Sequence, residues 1–176
     1  KDINAFNFIT QHINCITNDF IATRASIAGL RFNELLKSGQ EYNFISRYLF
    51  TTTHGVFMDT VLSKRRVHPD SIQSNVSKKI GTNLTAYHQQ TVKNKVFLLR
   101  DIMEVGDALS KEYLVTSIMN FSCQLAQKKQ EIPFFIEIVK YVKAIRGIKS
   151  MYLFVIAMKL LAAIGKGYKL YKMALI

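Results

Sequence analysis

The chain has 176 residues, with 24 Lys+Arg against 12 Asp+Glu and a formal net charge of +12. At 49% hydrophobic and 20% charged, it is too apolar for a disordered chain and long enough to bury a core without metals or disulfides. Cys15 and Cys123 form no C-x-x-C pair, and the four histidines form no H-x-x-x-H or H-E-x-x-H pattern, so the common zinc and redox motifs are excluded.

Helical spacing dominates and no sustained period-2 alternation occurs. The first predicted helix covers residues 3–37. Phe6, Ile9, Ile13, Ile16, Phe20, Ile27 and Leu30 fall on a 3-4 repeat like a coiled-coil seam, with Ser38-Gly39 as the stop. His12 and Cys15 would share a face of it, but two ligands do not make a metal site. The second predicted helix covers 42–66, with Thr51-Thr52-Thr53 lowering its propensity midway. Val67 to Ser71 then breaks the chain, and Asp70 or Ser71 suits a cap.

A third helical region is predicted over 72–108, where Gly81 and Gly106 are natural bends or stops. The fourth helix is expected over 111–130 with Ser110 as its cap. Pro133 is read as the first-turn proline of the last region. Gly165-Lys166-Gly167 lacks the spacing of either nucleotide-binding fingerprint. No cofactor is expected. The start at Lys1 rather than Met suits a processed chain or a fragment of a longer protein.

The expected fold is therefore all-α: a bundle of four to six helices, with residues 1–130 as a helical bundle and 134–176 as a cationic, apolar helical arm. That arm would lie either on the bundle or on a membrane.

Charge is concentrated in the arm. Residues 1–127 carry 14 basic and 10 acidic side chains; residues 128–176 carry 10 basic and 2 acidic. After Glu137 no side-chain carboxylate follows. The same stretch holds the most apolar run, from Met151 to Ile164, interrupted only by Lys159. That run falls short of the ~18 apolar residues a spanning helix wants, and a lysine at its centre suits an interfacial helix better.

Lys140, Lys143, Arg146 and Lys149 recur at every third position, which makes a slowly winding stripe on a helix. Over about ten residues this is similar to the charged helix of voltage-sensor domains, although none of the neighbouring spans is present. Three partners suit the stripe. The row Asp101, Glu104, Asp107 has the same spacing and could pair with it internally. An anionic membrane surface could take the basic groups at its headgroups. Phosphates of a nucleic acid could do so along a backbone.

Arg47 and His54 enclose six residues within one predicted helix. This resembles the R-x(4–6)-H motif of the HEPN ribonuclease superfamily, with Tyr48 where a polar residue usually follows the arginine. The resemblance implies metal-independent RNA cleavage, with His54 as acid/base and Arg47 stabilising phosphate charge. Lys64-Arg65-Arg66 beside His68 adds basic groups nearby.

Composition and charge placement favour a membrane-active module, similar in character to toxin or effector domains that bacteria deliver. Such a protein would be secreted or delivered to a target cell. Lys140, Lys143, Arg146, Lys149, Lys166, Lys169 and Lys172 would dock it on an anionic surface, and Met151 to Ile164 would insert. The alternatives are the ribonuclease using Arg47 and His54, and a helical protein whose basic stripe meets an acidic protein partner.

Overall fold

A computed structural model describes residues 2–13, 15, 19–52, 55, 56, 58, 60 and 84–176. Among these are six helices and no strand: α1 (Ala5–Ile9), α2 (Gln40–Thr51), α3 (Leu84–Ile102), α4 (Ala108–Gln127), α5 (Phe135–Ile164) and α6 (Tyr168–Ala174). The all-α expectation holds.

The first predicted helix does not extend to residue 37. Asn4 caps α1 by accepting the Asn7 amide at 2.8 Å, but the helix ends at Ile9 and Gln11 takes φ 63°. Side-chain hydroxyls bond to the backbone on both sides of this break. Thr10 Oγ1 donates to the Phe6 carbonyl at 2.7 Å, and the Ser26 hydroxyl donates to the Thr23 carbonyl at 2.9 Å. Asn, Ser and Thr offer such local alternatives to the helix ladder, and β-branched neighbours add little to resist them. The apolar residues of the predicted seam still pack, though from turns. Phe20, Ile27 and Leu30 surround Phe8, Phe44 and Ile45 in a small core of their own. His12 and Cys15 accordingly share no helix face, and His12 Nδ1 lies 2.7 Å from Thr10 Oγ1.

Helix α2 begins two residues before its predicted start, after Gly39 at φ 74°, and stops well short of residue 66. Thr51 Oγ1 donates to the Tyr48 carbonyl at 2.7 Å and Thr52 is extended (φ −129°, ψ 138°). The threonine run therefore ends the helix. The predicted break at residues 67–71 and the start of the third helical region lie outside the described residues.

Helices α3 and α4 form a tight hairpin. Gly106 closes α3 through its amide, 2.7 Å from the Ile102 carbonyl, and a Cβ there would sit 2.8 Å from that same oxygen. The cap of α4 is Asp107, three residues before the predicted Ser110. Its carboxylate accepts the Ser110 amide at 2.8 Å and the Ser110 hydroxyl at 2.7 Å, so Ser110 serves the cap from inside the first turn. At the far end Lys129 takes φ 54°, and the Gln130 amide reaches the Leu125 carbonyl at 2.9 Å, a Schellman closure with lysine in the glycine position. Pro133 lies two residues before α5 rather than in its first turn.

Helix α5 is not a straight rod. Gly147 has φ 87° and ψ 174°, a conformation essentially confined to glycine. The rings of Phe135 and Phe154 nevertheless stand 5.9 Å apart. On a straight helix nineteen residues would separate them by roughly 28 Å. The limbs 135–146 and 148–164 therefore fold back on each other at Gly147. A Cβ at Gly147 would meet nothing within 4 Å, so the backbone angle alone requires glycine. Gly147→Ala is expected to cost about 1–3 kcal/mol, read as a lower denaturation midpoint with the helical signal retained.

One core joins these pieces. Val92, Val96, Leu99 and Ile102 of α3, Leu114 and Ile118 of α4, Ile138, Val142, Phe154 and Leu161 of α5, and Tyr171 of α6 are all buried in it. Each large aliphatic side chain so buried contributes about 1.5–3 kcal/mol. The core is continuous between the stretches 1–130 and 134–176, with Ile132 packed against it.

Candidate membrane-binding surface

The limb 148–164 has two faces. Phe154, Ala157, Met158 and Leu161 point into the core. Ile148, Tyr152 and Ile156, each four residues apart and so on one stripe of the helix, are 57%, 60% and 47% exposed. Lys149 and Lys159 are exposed on the same limb. Helix α6 packs alongside: Gly167 approaches so closely that a Cβ would lie 2.8 Å from the Ala157 carbonyl. Its exposed side chains include Tyr168, Lys169, Lys172 and Met173, with Lys166 in the connecting turn. The Lys172 ammonium stands 5.1 Å from the Tyr168 ring centre.

Six of the seven predicted docking residues are solvent-exposed: Lys140, Lys143, Lys149, Lys166, Lys169 and Lys172. None of them enters an ion pair among the described residues. Arg146 departs from the expectation. Its side chain is 10% exposed. Its Nη2 pairs with Glu112 and donates to Thr116 Oγ1 at 2.7 Å, while Nη1 donates to the Ala174 carbonyl at 3.1 Å. This guanidinium fastens α4, the turn of α5 and the end of α6 together, so it cannot serve an outside surface. Arg146→Met is expected to cost about 2 kcal/mol by urea denaturation, the scale of lost hydrogen bonds to a charged group and less than a fully buried broken pair, because half-exposed Glu112 regains water. Arg146→Lys should recover only part of that loss, because an ammonium lacks the planar fork.

The acidic row does not face the basic stripe. Asp101 lies 3.6 Å from Arg47, Asp107 caps α4, and Glu104 is exposed. Sequence spacing could not foresee this, because the bend at Gly147 interrupts the stripe between Arg146 and Lys149. The third ion pair among the described residues, Arg100 with Glu137, is bidentate at 2.9 and 2.7 Å and has no motif to announce it. With the Tyr141 hydroxyl donating to it as well, Glu137 is held below the usual carboxylate range, chiefly by the bond from Arg100.

The ribonuclease motif is only half within the described residues. His54, His68 and Lys64-Arg65-Arg66 lie outside them. Arg47 is engaged in the fold: Nη2 donates to the Arg31 carbonyl and Nε faces Asp101. No group of three or more metal-ligating side chains occurs among the described residues.

By length and composition α5 is the one described helix apolar enough to cross a membrane, with mean hydropathy 1.7 over 18 residues. The bend at Gly147 leaves 17 residues from Ile148 to Ile164 in the apolar limb. At 1.5 Å per residue that is roughly 25 Å, short of the ~30 Å hydrocarbon core.

The chain matches no protein-family model, no curated protein and no solved structure.

The stripe Ile148, Tyr152, Ile156 was missed in the sequence. It was hidden inside an unbroken apolar run, where only the i, i+4 spacing separates an outer face from an inner one.

Proposed function

We propose that this chain is a cationic helical module that docks on an anionic membrane surface, as a membrane-active toxin or effector domain does. The observation that carries this reading is the solvent-exposed stripe Ile148, Tyr152, Ile156, flanked by lysines on a limb whose sequence holds no carboxylate. Lysines near an anionic leaflet each contribute about 1 kcal/mol. The isoleucines enter the acyl boundary, and Tyr152 keeps its hydroxyl at headgroup level. The limb lies in the plane of the surface. The same face would suit an acidic protein only if that protein also offered an apolar groove, and nothing on the chain specifies one.

Co-flotation with vesicles of phosphatidylcholine alone or mixed with phosphatidylglycerol tests the proposal. Binding to the anionic vesicles is expected, falling about tenfold or more towards 1 M salt as the Debye length shrinks to about 3 Å. Ile156→Asp should abolish it with the fold intact. Equal binding to neutral vesicles, or none to anionic ones, overturns the reading. Dye leakage from the anionic vesicles then separates surface docking from membrane disruption.

A further inference from the structure

A crevice separate from the α5 limb opens among the turns before α2. Its volume is about 530 Å³, and its walls include Arg24, Ile27, Leu30, Arg31, Phe32 and Phe44. It is a half-open surface groove, with Arg24, Arg31 and Phe32 exposed, so a ligand would lie along it with one side in water. Phe32 and Phe44 stack with centroids 4.6 Å apart and planes 20° from parallel, and Phe32 keeps 44% of its surface open.

The walls of this crevice carry two guanidiniums and no carboxylate, while Glu41 lines a smaller adjoining hollow that shares Phe32 and Phe44. Neither Arg24 nor Arg31 enters an ion pair among the described residues. Arg31 Nη1 donates only to the neighbouring Leu30 carbonyl, at 2.9 Å. Among the described residues, no Asp, Glu, Asn, Gln, Ser or Thr lines the walls. A ligand that fits must bring negative charge to the guanidiniums and an apolar body to the rest. A nucleotide fits poorly, because no side-chain amide or hydroxyl is present to meet a base edge. A single acyl chain needs no such partner, and guanidinium groups match carboxylate and phosphate oxygens equally well.

The geometry points to a binding site for a single-chain anionic amphiphile, a fatty carboxylate or monoalkyl phosphate. Its headgroup is held by Arg24 and Arg31, and its chain lies on Ile27, Leu30 and the Phe32–Phe44 pair. This site is independent of the membrane-docking face.

The test is calorimetric titration of the whole chain with laurate and dodecyl phosphate, each below its micelle-forming concentration. Dodecyl maltoside serves as the neutral probe and inorganic phosphate as the chainless one. Saturable one-to-one binding of both anions is expected, about tenfold or more tighter than either control. The double variant Arg24→Gln/Arg31→Gln should weaken it by a similar factor, and Arg24→Lys/Arg31→Lys should retain part of it. Ile156→Asp, on the docking face, should leave it unchanged. Equal affinity for dodecyl maltoside, full binding by the glutamine variant, or loss caused by Ile156→Asp would each overturn the proposal. Tight binding of laurate without dodecyl phosphate, or the reverse, would reject the shared headgroup site.

Discussion

Phe154→Ala is expected to lower the stability of the whole chain by about 3–5 kcal/mol. The ring is fully buried and packs against Phe135 at 5.9 Å, where the two limbs of α5 close on each other. Truncation leaves a cavity among Ala157, Met158 and Leu161, side chains that cannot collapse freely because α4 and α6 enclose the same core. Ile156→Ala, two residues away on the 47% exposed face, should change stability by no more than about 0.5 kcal/mol. Urea denaturation of the two variants therefore measures the two faces of one limb. Equal small effects would mean that the limb rides on the bundle without completing it. A large effect at Phe154 alone fits a docking mode in which only the outer stripe meets lipid and the bundle stays closed.

Helix content was legible in the sequence wherever caps and apolar period agreed. Both ends of the turn between α3 and α4 are marked by residues that can do only a few things: Gly106 in close contact with a carbonyl, and Asp107 and Ser110 at a helix start. The N-terminal third is not legible, because a 3-4 apolar repeat does not require a continuous helix. The same repeat is satisfied by turns that place Phe20, Ile27 and Leu30 against Phe8 and Phe44. Periodicity reports which residues seek the core. It does not report whether Asn, Ser and Thr between them will hold the helix ladder.

On the candidate surface the six lysines are exposed, and the acidic row Asp101, Glu104, Asp107 does not pair with the stripe. Six exposed lysines follow from composition alone, since with no carboxylate after Glu137 they have few intramolecular partners. Arg146 was legible only as one member of a row, because its role depends on Glu112 and Ala174, 34 and 28 residues away. The bend at Gly147 is what separates it from Lys149. A lone glycine inside a helical pattern signals a bend only once its φ is known.

Lys95 is expected to contribute a rise of about 3 kcal/mol in stability between pH 8 and pH 10.5, read as the difference between the native chain and its Lys95 variants. This lysine of α3 has its ammonium 5.7 Å from the Tyr42 ring and 5.3 Å from the Tyr113 ring, where the α1–α2 layer meets α3 and α4. No carboxylate pairs with it among the described residues. Burial pushes its pKa down from 10.5 to about 8. Below pH 8 the group is charged in both the folded and unfolded chain, and folding bears the cost of taking that charge out of water. Between pH 8 and 10.5 the folded chain has released the proton while the unfolded chain still binds it, so raising the pH favours folding. Cys123 and Tyr42 oppose the climb: burial raises the Cys123 thiol from 9 to about 11 and the Tyr42 phenol above 10, so the unfolded chain ionises these groups first and they offset the Lys95 gain from about pH 9 upward. Lys95→Met keeps the stem and removes the charge. It should stabilise the chain at pH 7 by about 1–2 kcal/mol, the relieved desolvation being offset in part by the lost cation–π contacts. It should also flatten the climb between pH 8 and 10. Lys95→Arg cannot shed its proton in this range and should lack the climb without the gain at pH 7. Denaturation midpoints of the three chains at pH 7, 8.5 and 9.5 decide the matter. Parallel profiles would mean that the ammonium finds enough water at the rim of the two rings to stay charged, and that the α1–α2 layer sits more loosely on α3 than these contacts imply.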